Sequence, residues 1–260
     1  MKKINFNKKF SIVLGGSGHI GLATTECLLE HGSHVLVIDK NLKSIPQSIK
    51  RKYKSKLFLL ETDITNNDDL EIIDKFLNSK KKHIDILINS VALVGSSKLK
   101  GWNEDFKKQK KESWDKAIET NLTSVFFLIQ RLAKYYKKNK STSIINISSI
   151  YGLYPPKLGI YKNTEIHNPA AYSVSKAGIN YMTKWLAVHL APNVRVNTIS
   201  PGGIIRNQSK TFIKQYASQT LMNRMATEND LIGAIIFLAS DMSLYVTGQN
   251  IVIDGGWSIK

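Results

Sequence analysis

Tyr172 and Lys176, in Tyr172-Ser-Val-Ser-Lys176, are the residues of this chain whose types and spacing most directly spell out a reaction. In a helix, residues four apart share one face, one turn from each other. An ammonium beside a phenol favours the phenolate and lowers a tyrosine pKa that starts near ~10, so the pair reads as a proton-transfer centre. The hydroxyl-bearing segment Asn146-Ile-Ser-Ser149 precedes it. A lysine-rich chain with 10 tyrosines is expected to hold about one Tyr-x-x-x-Lys pair by chance, and context has to separate a site from coincidence. Tyr172 opens a helical stretch with small or apolar residues at Val174, Ala177, Gly178 and Tyr181. The second pair, Tyr136 and Lys140, lies in a basic helix end with no hydroxyl-bearing strand before it and reads as a solvated surface.

A nucleotide site is the second chemistry. Gly15-Gly-Ser-Gly18-His-Ile-Gly21 follows an apolar run and opens a helical pattern, where glycines permit a tight turn and close approach of pyrophosphate to backbone N–H groups. Asp39 ends the next apolar run, the place for a carboxylate that accepts from an adenosine ribose 2′-hydroxyl. A carboxylate there repels a 2′-phosphate, which favours NAD; Lys40 beside it leaves NADP open.

These groups need a scaffold that gathers them. Strand-length apolar runs recur at Phe10–Leu14, Val35–Ile38, Leu57–Leu60, Ile84–Ile88, Ser143–Ile147, Arg195–Ile199 and Asn250–Ile253. Helical patterns alternate with them at Ile20–His31, Asn67–Asn78, Lys111–Lys137, Ala171–Leu190 and Asn229–Ala239. Such alternation predicts an α/β fold, a single-domain Rossmann-type doubly wound parallel sheet covering residues 1–260. Two stretches break the rhythm just after strands, near 94–112 and 150–170. Ligands of open α/β sheets bind beyond the carboxyl ends of the strands, so these segments should overlie the site.

The ordered set of motifs resembles the short-chain dehydrogenase/reductase family from Phe10 to Trp257. Besides the glycine turn, Asp39 and the Tyr172/Lys176 pair, it includes Asp63-Ile64, Asn89, Asn121 in Thr-Asn121-Leu, Ser149, Pro201-Gly202 and the closing Asp254-Gly-Gly256. The resemblance implies hydride transfer between a nicotinamide and a carbonyl or secondary alcohol. In that scheme Tyr172 is the general acid/base, Ser149 holds the substrate oxygen, Lys176 binds the nicotinamide ribose, and Asn121 supports a water-linked proton path. Cofactor contacts are implied for Gly15, Ser17, Gly18, His19, Ile20, Gly21, Asp39, Asp63, Ile64, Asn89, Tyr172, Lys176, Pro201, Gly202 and Ile204. Leu14, His19 and Asn89-Ser-Val-Ala92 depart from the family's usual residues, and the segment between Ser149 and Tyr172 is longer than usual. Read as structure alone, Tyr172 needs only a buried partner, Ser149 caps a turn, Lys176 is a solvated helix residue and Asn121 braces a helix.

The longer segment is similar to that of bacterial dehydrogenases of flagellin and surface-sugar modification; a loop elaboration without meaning for substrate is the other reading. Its tyrosines suit ring stacking, and Lys157, Lys162, Asn163 and Thr164 suit hydroxyls or phosphate, with Tyr161 and Lys162 the substrate residues singled out. An amino sugar or sugar nucleotide is the leading substrate, a 3-oxoacyl thioester the alternative, and a catalytically idle dinucleotide sensor a different class.

Composition bounds the partners. A net charge of +17 allows nucleic acid or anionic surfaces, but the lysines spread over many elements and no nucleic-acid module is present, so no specific nucleic-acid partner is expected. The aromatic-interleaved stretch from Lys98 to Trp114, with Trp102 and Phe106, is where any anion attraction would concentrate. One cysteine, Cys27, excludes an intrachain disulfide, and no cysteine or histidine cluster has metal-ligand spacing. Met1-Lys-Lys precedes too short an apolar run for a signal peptide, and no apolar stretch is long enough for a membrane span. The expectation is a cytoplasmic enzyme of a small-molecule substrate, a homo-tetramer or homo-dimer as is common in the family.

Overall fold

The structure is a computed structural model that describes residues 4–66, 69–94, 99–136 and 141–260. The apolar runs become β1 (Phe10–Leu14), β2 (His34–Asp39), β3 (Leu57–Glu61), β4 (Ile86–Asn89), β5 (Thr142–Ile147), β6 (Val194–Pro201) and β7 (Asn250–Ile253). They form one seven-stranded sheet in the order 3-2-1-4-5-6-7 with every pair parallel. β1, β4, β5 and β6 are buried along their whole length, as strands covered on both faces must be. Alternate side chains feed two cores. Ile12, Leu14, Leu36 and Leu87 face one way, while Val13, Val37, Ile86 and Ile88 face the other. This is the Rossmann-type sheet the alternation of runs predicts.

Eight helices cover it: α1 (His19–Glu30), α2 (Gln47–Lys52), α3 (Leu70–Lys80), α4 (Lys111–Ile118), α5 (Ser124–Leu132), α6 (Ala170–Leu190), α7 (Lys210–Ala217) and α8 (Asn229–Ala239), counted among the described residues. The expected helix from Asn67 starts outside the described residues, as do Lys98, Lys137 and Lys140. The expected helix from Lys111 is interrupted by a π-helical turn at Glu119–Thr123. α2 and α7 were not expected. α2 buries only Ile49 and α7 only Phe212 and Tyr216, too few apolar positions for a visible period.

Two surface expectations are corrected. Tyr136 is buried, not solvated, and its hydroxyl donates to the Ile129 carbonyl at 3.0 Å. Trp102 lies in a small apolar cluster with Leu93, Ala117 and Ala171, its indole N–H donating to the Val94 carbonyl, so it offers no ring to an anionic partner. On α6 the buried face runs through Ala171, Ser175, Ile179, Met182 and Leu186, while Val174 and Tyr181 point outward. Among the described residues no helix is long and apolar enough to cross a membrane.

The chain leaves β1 toward β2 and β3 on one side and then crosses to β4 on the other. That reversal opens a crevice at the carboxyl ends of β1 and β4, where ligands of such sheets bind. Residues 150–169 cross above the carboxyl end of β5 and pack with α7 and Trp257 into a separate cluster of Ile150, Ile160, Phe212, Tyr216, Met225 and Trp257.

Candidate active site

A cavity of about 690 Å³ occupies this crevice, with Gly18 to Gly21, Ser149, Tyr172, Lys176 and Pro201 to Ile204 in its wall. The backbone brings the catalytic candidates together. Ser149 leaves β5 in extended conformation and its hydroxyl accepts from the Tyr151 N–H at 3.2 Å, starting a short 3₁₀ turn over Ile150–Gly152. That turn sits directly on α6: a Cβ on Gly152 would come within 2.6 Å of the Lys176 carbonyl carbon. Asn180 donates its amide to the Gly152 carbonyl at 3.1 Å, and the Ser148 hydroxyl donates to the Lys176 carbonyl at 2.9 Å. Ser149 is therefore strapped to the helix that carries Tyr172 and Lys176.

The electrostatics differ from the expected pairing. Burial pushes the Tyr172 phenol above its ordinary pKa, although a hydrogen bond from Ser149 favours the phenolate. Burial also pulls the Lys176 ammonium down to about 8. Lys176 Nζ stands 5.8 Å from the Tyr172 ring centroid and donates to the Ile147 carbonyl at 2.8 Å. The expected depression of the tyrosine pKa by this lysine is thus outweighed, because desolvation of each group disfavours its charged form.

Asn121 lies behind the wall, fully buried in the π-helical turn. Its side-chain oxygen accepts from the Leu93 N–H at 2.7 Å, and its amide donates to the Ser175 hydroxyl at 2.9 Å. Asn121 so ties the segment after β4 to α6. π-Turns concentrate at functional sites because the extra residue re-aims backbone groups.

The glycine turn is shaped for an anion. Gly15 has φ +69° and a Cβ there would meet the Val91 N at 2.9 Å, while a Cβ on Gly21 would lie 2.1 Å from the Gly15 carbonyl oxygen. α1 begins with no side-chain cap and no acid in its first turn. The N–H groups that start a helix have no partner within it, and here they open on the cavity through His19, Ile20 and Gly21. Asp39 accepts from the Ser17 N–H at 3.2 Å, which sets the carboxylate beside the turn. Asp63 accepts from the N–H and hydroxyl of Thr65, and it stands with Ile64 beyond β3, outside the cavity wall.

Some expected site residues sit elsewhere. Asn89 is buried at the end of β4 with its amide 3.5 Å from the Asn146 side-chain oxygen, and the adjacent Ser90 lines the cavity instead. Ser90 also braces the turn, donating to the Leu14 carbonyl at 2.8 Å. Lys162 is exposed and absent from the wall, because the chain at that point turns outward and uses its carbonyl to accept from Gln215. Lys157 is committed to the carbonyls of Trp257 and Lys260 at 3.0 and 2.9 Å, and the Thr164 hydroxyl to the Tyr161 carbonyl. Tyr161 does face the cavity, its hydroxyl 2.7 Å from that of Tyr151. Tyr151, His167, Asn168, Arg206 and Phe212 line it too and were not singled out from the sequence. Phe212 and Tyr216 form an i, i+4 aromatic pair on α7, too short a pattern to mark that wall in the sequence.

A family model described as enoyl-(acyl carrier protein) reductase matches residues 16–258. The chain belongs to the short-chain dehydrogenase/reductase family. It is an oxidoreductase of that family, and Gly18, Gly21, Ser149, Tyr172, Lys176 and Pro201-Gly202 at the cavity are among the motifs that carry the resemblance. Among similar proteins, the post-translational flagellin modification protein A of Campylobacter coli is 33% identical over 96% of this chain and 98% of its own. A 3-oxoacyl-[acyl-carrier-protein] reductase of Thermotoga maritima is 32% identical over 95% and 97%. A crystal structure of a short chain dehydrogenase from Leptospira borgpetersenii with bound NAD+ superposes with a TM-score of 0.87 at 36% identity, covering 100% of this chain and 97% of that one.

Proposed function

We propose that this chain transfers a hydride between NAD and a carbonyl or secondary alcohol of an amino sugar or sugar nucleotide, in surface-glycan or flagellin-sugar synthesis. The observation that carries the reading is the convergence of Ser149, Tyr172 and Lys176 on the cavity into which the glycine turn and the start of α1 open. The residues fit a dinucleotide: uncapped N–H groups of α1 suit its pyrophosphate, Asp39 its adenosine ribose, Asp63 and Ile64 its adenine, and Pro201, Gly202 and Ile204 its nicotinamide side. Once bound, the nicotinamide supplies the hydride chemistry. Ser149 holds the substrate oxygen, Tyr172 gives or takes the proton at that oxygen, and Lys176 holds ribose hydroxyls next to the phenol. Asn121 keeps the segment after β4 and α6 in register around them.

With Asp39 accepting from a 2′-hydroxyl and repelling a 2′-phosphate, NADH is expected to bind more tightly than NADPH. Titration of both by energy transfer from protein to nicotinamide checks this. Equal affinity, or tighter NADPH, would assign Lys40 the larger part.

The relatives' names include both a flagellin modification protein and a 3-oxoacyl-[acyl-carrier-protein] reductase at nearly equal identity, so the choice of substrate rests on the cavity wall. Above Tyr172 that wall combines the hydroxyls of Tyr151 and Tyr161 and the side chains of His167 and Asn168 with the apolar Ile166 and Phe212. A sugar ring has hydroxyl edges and an apolar face, and such a wall matches both. Turnover of amino sugars and sugar nucleotides, with a raised Michaelis constant and near-normal NADH affinity in Tyr161→Ala, is the expected result on a substrate panel. Efficient turnover of 3-oxoacyl thioesters alone would leave the family assignment standing and remove the sugar. We include a homo-oligomer in this reading, supported by the exposed apolar stripe of Val174, Tyr181, Trp185 and Val188 on α6 with Phe127 on α5. We place the activity in the cytoplasm, where the single, buried Cys27 stays a thiol.

A further inference from the structure

Arg206 follows the Pro201-Gly202 turn and lines the same cavity as Gly18 and His19 at the start of α1. Its side chain is about three-quarters buried and its guanidinium forms an ion pair with Glu228, which precedes α8 and is buried to a similar degree. The same Glu228 carboxylate lies 3.8 Å from His19 Nδ1, in the first turn of α1. One acid thus reaches both the arginine and the mouth of the uncapped helix. Burial weakens the hold of Arg206 on its proton while Glu228 strengthens it, as for a cation kept from water and neutralised by a single carboxylate. The loop after β6 is held independently of this pair by the Ile204–Ala226 bridge and by Gln208, which donates to the Ile204 carbonyl and accepts from the Arg206 N–H.

We propose that Arg206 is a clamp for the diphosphate of the dinucleotide and that Glu228 is a displaceable stand-in for that anion, holding the guanidinium in place until the ligand arrives. The inference rests on the dinucleotide reading above. An arginine fork matches two phosphate oxygens as well as it matches a carboxylate, so exchanging one for the other keeps its hydrogen bonds and its charge compensated. After the exchange Glu228 is left as a like charge beside the diphosphate. The carboxylate therefore sets the affinity from the unfavourable side, and its removal should help binding although it breaks an ion pair.

The test measures equilibrium binding of NADH, ADP-ribose and adenosine, each to wild type, Arg206→Gln and Glu228→Gln, with melting temperatures of the unliganded variants as a check on folding. Arg206→Gln should weaken NADH and ADP-ribose roughly tenfold, the effect of losing a charged hydrogen-bond partner. It should leave adenosine, which has no phosphate, unchanged. Glu228→Gln should tighten NADH and ADP-ribose severalfold, even where the broken ion pair lowers the melting temperature. Weaker NADH binding by folded Glu228→Gln would make the acid a fixed support for Arg206 and overturn the displacement. Unchanged NADH affinity in folded Arg206→Gln would remove the clamp. If wild type bound neither NADH nor ADP-ribose, the dinucleotide reading itself would fall, an outcome distinct from both.

Discussion

Tyr172→Phe should lower turnover by roughly 10²–10⁴-fold, the usual contribution of a positioned acid/base, while NADH affinity stays near wild type. The half-buried phenol stands beside Ser149 and desolvation holds its pKa above the ordinary tyrosine value, so in the unliganded protein it is a neutral proton donor at physiological pH. That state suits reduction of a carbonyl, in which a proton must reach the developing alkoxide. Oxidation of an alcohol requires the phenolate, so the oxidative rate should climb as pH rises, whereas the reductive rate should not. Phenylalanine keeps the ring and its packing and removes only the hydroxyl, which separates chemistry from folding. Tyr136→Phe is the control. Its hydroxyl also sits in the core, but it donates to the Ile129 carbonyl and is not in the wall of the active-site cavity. Removing it should cost about 1 kcal/mol of stability and leave turnover intact. Equal harmlessness of the two substitutions, in an assay with an identified substrate, would unseat Tyr172 as the acid/base.

The contrast between these tyrosines also shows what the sequence could and could not convey. Both belong to Tyr-x-x-x-Lys patterns, and a hydroxyl-bearing strand before Tyr172 separated them. Tyr136 reads as surface in the sequence because its neighbours are charged, while in the fold it bridges to Ile84 just before the central strand β4 and is buried there. The sheet was legible because β1 (FSIVL) and β4 (ILIN) are short, mostly apolar runs, although β5 (TSIINI) and β6 (VRVNTISP) bury polar residues among their apolar ones. α7 was not, because a helix that buries only Phe212 and Tyr216 leaves almost no periodic trace. Substrate-side residues were the least legible. Lys157, Lys162 and Thr164 have the right chemistry for hydroxyls and phosphates, yet the path of the loop commits them to the C-terminal segment, to solvent and to a local turn. Tyr151 reaches the cavity because the 3₁₀ turn after Ser149 aims it there, with its ring edge against Trp257. Such orientations arise from long-range packing, which one-dimensional patterns do not encode. The same holds for Arg206 and Glu228, brought together from separate elements.

Lys176→Met should stabilise the unliganded protein at neutral pH while abolishing tight NADH binding and turnover. The ammonium is buried, its pKa pulled from 10.5 to about 8, a depression that corresponds to about 3 kcal/mol of differential cost at pH 7. Methionine fills a similar volume without charge, and it forfeits the hydrogen bond to the Ile147 carbonyl, worth about 1 kcal/mol. The net expectation is a gain of about 2 kcal/mol at pH 7. Its pH dependence identifies the cause. Between the folded pKa near 8 and the unfolded value near 10.5, the unfolded chain binds more protons at this site, so the wild type gains stability as pH rises through that window. Methionine has no such titration, and the advantage of the variant should shrink and then reverse by the top of the window. Chemical denaturation of both proteins at pH 7 and pH 10 reads the difference directly, since all other titrating groups are shared. A gap that does not move with pH would mean that Lys176 is not a desolvated ammonium in the free protein. A shrinking gap, together with lost NADH affinity, would show that the lysine is kept at a cost to stability, as expected of a residue whose charge is needed only once ribose hydroxyls and a reacting phenol surround it.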